Sequence, residues 1–87
     1  MEKRLNYIFL HRTGIDFEEF SDLQEKKLFG KEINLREREA VYILLDIQKE
    51  FDLVIPKQKI VNNEFSTYQG IKNIIEELLA VNNANDK

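Results

Sequence analysis

Large apolar residues in this 87-residue chain recur at helical spacing in three stretches and crowd without period in a fourth. Leu5, Ile8 and Phe9 fall on one face of a helix over Glu2 to Arg12, and Gly14 follows where a C-terminal glycine belongs. Between Asn34 and Phe51 two adjacent stripes run along a second helix. One holds Val41, Leu44, Leu45 and Gln48; the other holds Ala40, Ile43, Ile47 and Phe51. An arc that wide puts the helix at the centre of the bundle or leaves apolar surface for a partner. Tyr68, Ile71, Ile74, Ile75, Leu78 and Leu79 give the last helix the same 3.6-residue period, from Ser66 or Thr67 onward. The connection Ile15–Ile33 carries Ile15, Phe17, Phe20, Leu23, Leu28 and Phe29, too many for a solvated loop. It should lie across the bundle and bury some of them.

Polar punctuation sets the expected boundaries. Asn34 is a strong N-cap residue, with Glu37 three positions on as its capping-box partner. Ser21 with Gln24, and Ser66 with Gln69, have the same form, so a short turn should start at Ser21, with Gly30 closing it. Asp52 breaks the second helix, and Pro56 drives the residue before it into extended conformation. Lys57–Asn63 holds a short third helix or only turns. Gly70 costs the last helix about 1 kcal/mol relative to alanine. The polar tail from Val81 to Lys87 is expected to fray. The sum is one all-α domain over residues 1–80, a four-helix bundle with a long first loop and a short third helix.

Composition narrows the chemistry. Hydrophobic residues make up 43% and charged residues 33%, as in ordinary folded proteins. Cysteine is absent, which excludes disulfides, thiolate metal sites and cysteine nucleophiles. The net charge of −3 argues against general nucleic-acid binding. The longest apolar run, Ala40 to Leu45, is far short of the roughly 20 residues of a bilayer span, so a cytoplasmic protein with no membrane role is expected. His11 is the single histidine and has no company for a metal or a triad. No nucleophile motif or Gly-rich phosphate loop appears, and the expectation is not an enzyme.

Three segments carry a family likeness. "EFDLVIP" (Glu50–Pro56), "FSTYQGIKNIIEELL" (Phe65–Leu79) and "TGIDFEEF" (Thr13–Phe20) resemble, in order and spacing, the end of the second helix, the last helix and the first turn of acyl and peptidyl carrier proteins. The likeness spans Lys3 to Leu79. It implies the four-helix carrier bundle, in which a phosphopantetheine arm hangs from the serine of an Asp-Ser-Leu motif. Here those three positions are Arg36, Glu37 and Arg38. A carboxylate cannot replace the hydroxyl that forms the phosphodiester, so phosphopantetheine is expected to be absent. The acidic second helix of many carriers is missing too: Arg36 to Glu50 holds three basic and four acidic residues. The chain more closely resembles divergent carrier-related proteins found with bacterial peptide maturation systems. That likeness implies a fold kept for docking a protein partner. A monomer is expected over a homodimer, although the wide apolar arc on the second helix would fit either contact.

The candidate partner-binding residues are Arg36, Glu37, Arg38 and Tyr42. Lys31, Lys57 and Lys59 could join the arginines in a basic face that receives an acidic peptide or a phosphate. The plainer reading is solvated charge, with Glu37 and Glu39 interleaved. Glu37 also reads as a capping residue favoured by the helix dipole. Tyr42 is either an exposed aromatic anchor or a ring packed under the long loop. Ser21 is the alternative arm site, though a capping role suits it better. A generic helical adaptor, alike by convergence, is the remaining alternative.

Overall fold

The computed structural model describes residues 1–61 and 65–85. Its helices are α1 (Glu2–Thr13), α2 (Glu37–Phe51), α3 (Lys57–Val61) and α4 (Tyr68–Asn85), with a 3-10 turn at Ser21–Glu25 in the long first connection. The all-α reading holds, and α3 forms. Among the described residues there are no strands, only an isolated bridge between Lys27 and Thr67.

One periodic face of α1, of α2 and of α4 is buried, while Val41 and Leu45 of the other α2 stripe stay exposed. Leu5 and Phe9 of α1, Ile43 and Ile47 of α2, and Ile71, Ile74 and Ile75 of α4 are each 2% exposed or less. The long connection closes over them. Phe17 and Leu28 are buried, and Ile15 and Leu23 pack partly against the core. Phe17 stacks on Tyr68 at 4.6 Å between ring centroids, and Phe9 meets both rings edge-on at 5.3 and 5.1 Å. Such aromatic pairs add about 0.5–1.5 kcal/mol beyond burial. Burial, with the charges of Glu18, Glu2 and Asp16 nearby, pushes the Tyr68 pKa up to about 12.

One buried polar side chain fixes the start of the connection. Asn6 donates from Nδ2 to Asp16 (2.7 Å) and accepts the Phe17 N–H (2.7 Å). Further along, Leu28 donates to the Ser66 carbonyl and accepts from Leu35, tying the connection to the entry of α4. Gln48 holds the other end of α2. Its carbonyl accepts from Asp52 and Leu53, and its side chain accepts from Ile55. Asp52 takes the left-handed conformation (φ 52°), which aspartate tolerates. Leu53 and Ile55 are buried while Val54 is exposed, the alternation of an extended segment.

Several expected caps are placed differently. Asn34 is left-handed (φ 52°) and does not cap α2. It closes a turn by donating to the Gly30 carbonyl, and the chain then runs extended so that Leu35 can be buried. The N-cap position falls to Arg36, and Glu37 is the first helical residue rather than the third. Ser21 forms no capping bond, because Gln24 turns back to donate to the Phe17 carbonyl at 2.8 Å. Gly30 lies beyond that turn, in a separate one closed on the Lys27 carbonyl. Thr67, not Ser66, caps α4, accepting the Gly70 N–H at 2.9 Å, while Gln69 donates to Asn73. α4 runs on to Asn85, into the polar tail; residues 86 and 87 lie outside the described residues.

Candidate functional site

α2 meets α1 along one side and solvent along another. The α1 side is fastened at two levels. Near the end of α2, the Arg4 guanidinium lies 4.7 Å over the Phe51 ring and donates to the Glu50 carboxylate (2.8 Å) and carbonyl (2.6 Å). Two turns back, Arg12 lies 5.0 Å over Tyr42 and donates to Asp46 at 2.8 Å. Stacking on an aromatic face while forking to a carboxylate is what a guanidinium does and an ammonium does not. The bond to Asp46 raises the Arg12 pKa further, against the opposing effect of burial.

The opposite side is open. A groove of about 370 Å³ runs between α2, α3 and the entry to α4. Ala40, Val41 and Leu44 form its α2 wall, Ile60 and Phe65 face them, and Phe29 closes one end. Phe29, Val41 and Leu45 each leave about half their surface in water, at 52%, 53% and 53%. Glu37 lies on the groove wall, one helical turn before Val41. The groove continues past Phe29 and Ser66 into a second cleft, of about 340 Å³, bordered by Lys27 and Gly30.

These positions divide the predicted residues. Glu37 faces the groove. Tyr42, 100° further round the helix than Val41, belongs to the α1 side, 41% exposed beneath Arg12. Arg38 is exposed one turn before Tyr42, and Arg36 is exposed at the helix entrance. Arg36, Glu37, Arg38 and Tyr42 are therefore not one patch. Of the wider basic set, Lys59 pairs with Glu77 at 3.4 Å, whereas Lys31, Arg36, Arg38 and Lys57 make no ion pair among the described residues. Ser21 is exposed on the 3-10 turn that packs against α4, and His11 is exposed with its ring stacked on Tyr7.

Phe29, Ile60 and Phe65 were missed by the sequence reading as groove residues. The signal was partial: Phe29 was one apolar residue too many for a loop, but nothing local told which of them would stay out. The pairing of Arg4 and Arg12 with α2 was missed as well; it needs the antiparallel register of the two helices. Among the described residues no group of three or more histidines or carboxylates could hold a metal, and no helix is long and apolar enough to cross a membrane. No family model, curated protein or solved structure matches the chain.

Proposed function

We propose that this chain is a carrier-like helical bundle that does not carry: a non-catalytic docking or accessory protein of a peptide maturation or related biosynthetic system. It binds a protein partner through α2 and the loop before it, and takes no phosphopantetheine. The observation that carries the reading is Glu37. It is the first residue of α2, the place where the carrier resemblance puts its serine, and it lies on the wall of an exposed apolar groove. The element order gives further support, with its long first connection and five-residue α3.

The experiment is the intact mass of the purified protein after incubation with coenzyme A and a promiscuous phosphopantetheinyl transferase, beside an ordinary carrier as control. The control gains one arm and this protein gains none. A mass gain here defeats the reading. One observation favours a second reading, in which Ser21 takes the arm: its side chain is exposed and not used as a cap. In that case Ser21→Ala abolishes the gain.

A further inference from the structure

We infer that the groove on α2 receives an amphipathic segment of another protein, one whose apolar anchors are flanked by aspartate and glutamate. The inference rests on the docking reading above and adds the chemistry of the partner. Two features of the molecule meet at this groove.

The first is its shape and lining. At about 370 Å³ it sits at the small end of the range for binding pockets, roughly 300–1,000 Å³, and suits a few side chains. Its α2 wall presents Ala40, Val41 and Leu44, an apolar strip of the kind an amphipathic helix packs against.

The second is charge. The thirteen residues from Lys26 to Arg38 lead directly into the groove. They hold five basic residues (Lys26, Lys27, Lys31, Arg36 and Arg38) against two acidic ones (Glu32 and Glu37), a surplus of three positive charges in a chain whose net charge is −3. Lys26 and Glu32 pair with each other at 3.9 Å. Lys27, Lys31, Arg36 and Arg38 are exposed and make no ion pair among the described residues. Glu37 lines the groove, and the Glu32 carboxylate lies beside Gly30 of the adjoining cleft. Lys27 borders the cleft that continues from the groove, and Arg36 immediately precedes Glu37 of the groove wall, whereas Arg38 lies round the helix toward Tyr42. A neutral or basic segment leaves those cations uncompensated; an acidic one meets them as it docks.

A second copy of the chain is the rival occupant. Residues 15–25 hold Asp16, Glu18, Glu19, Asp22 and Glu25, no basic residue, and an exposed Phe20. The partner chemistry inferred for the groove is thus present in miniature on the same molecule.

The test is a display selection of short helical peptides, unbiased in charge, against the full-length protein. The expected winners carry apolar residues four apart with aspartate or glutamate beside them. Val41→Glu should weaken their binding by about tenfold or more, as loss of a central anchor site does. Val41→Ser, gentler on folding, should weaken it less. Lys27→Glu and Arg36→Glu should weaken binding and flatten its dependence on salt. Neutral or basic winners, winners indifferent to Val41, or no winners overturn the inference. So does concentration-dependent self-association that Phe20→Ser removes, which would make a second copy the occupant. The arm-transfer assay is independent: a mass gain there sinks the non-carrier reading and leaves the groove's preference to the selection.

Discussion

The two sides of α2 draw on the same kinds of residue and use them differently. Facing α1, aromatic rings lie under guanidinium groups and the guanidinium groups reach carboxylates. Facing the groove, Val41 and Phe29 stand half in water, and Lys27, in the cleft that Phe29 shares, makes no ion pair among the described residues. Surface ion pairs alone are worth little, about 0–1 kcal/mol. What the α1 side adds is area and direction, since a stacked, forked arginine fixes where one helix lies on the other. The open side has area without direction. A face like that contributes little to folding and is available for binding.

The largest expected effect tests whether the closed side holds the fold. Ile47 is fully buried between the two faces. Ile47→Ala should cost about 2–5 kcal/mol, the range for deleting a buried aliphatic side chain and leaving a cavity. Urea denaturation reads it as a lower midpoint. A loss under 1 kcal/mol would mean that α2 is not packed as described, and the contrast between its faces would collapse.

A smaller effect comes from the polar contact that holds the connection over the closed side. Asn6→Leu leaves the buried Phe17 N–H without its acceptor, at about 1–3 kcal/mol. The same change has a pH signature. The Asn6 amide, then the N–H groups of Glu19 and Glu18, hold the Asp16 carboxyl below its ordinary 3.8, against the opposing effect of burial. A carboxyl depressed in the folded state stabilises the fold above its unfolded pKa. That stabilisation is lost as pH falls below 3.8 toward the folded value. The gap between wild type and Asn6→Leu should therefore be full at neutral pH and narrow in acid. Glu2, lowered by its bond to Lys72, contributes the same acid limb to both proteins and leaves the gap unchanged. Parallel pH curves would remove Asp16 from the account.

Much of this contrast was written in the chain, but not its orientation. Period 3.6 located α1, α2 and α4, because one repeating face of each becomes buried; in α2 it is the stripe of Ile43, Ile47 and Phe51, not that of Val41 and Leu45. Gly14 and Asp52 marked helix ends through local backbone preference, which sequence carries. The caps failed where tertiary contacts intervened. Asn34 is a good N-cap in isolation, yet burying Leu35 pulled it into a turn two residues early. Gln24 would have closed a box with Ser21, yet the Phe17 carbonyl lay closer to hand. Tyr42 was undecidable for a related reason: its packing depends on Arg12, thirty residues away. The groove was the least legible feature, since Phe29, Ile60 and Phe65 come from three segments that only the fold brings together.

The smallest expected effect is a null, and the contrast depends on it. Val41→Ser trims an apolar side chain already 53% exposed on the groove wall. Surface substitutions of this kind stay within about 0.5 kcal/mol. Urea midpoints of wild type and variant should coincide within that margin, while Ile47→Ala, six residues along the same helix, moves far. If Val41→Ser destabilises by more than 1 kcal/mol, the groove wall is part of the core and is covered within the molecule, so no partner is needed to bury it. If it is silent in folding but weakens the selected peptides, the two faces of α2 have separate jobs: one holds the bundle together and the other is left for something outside it.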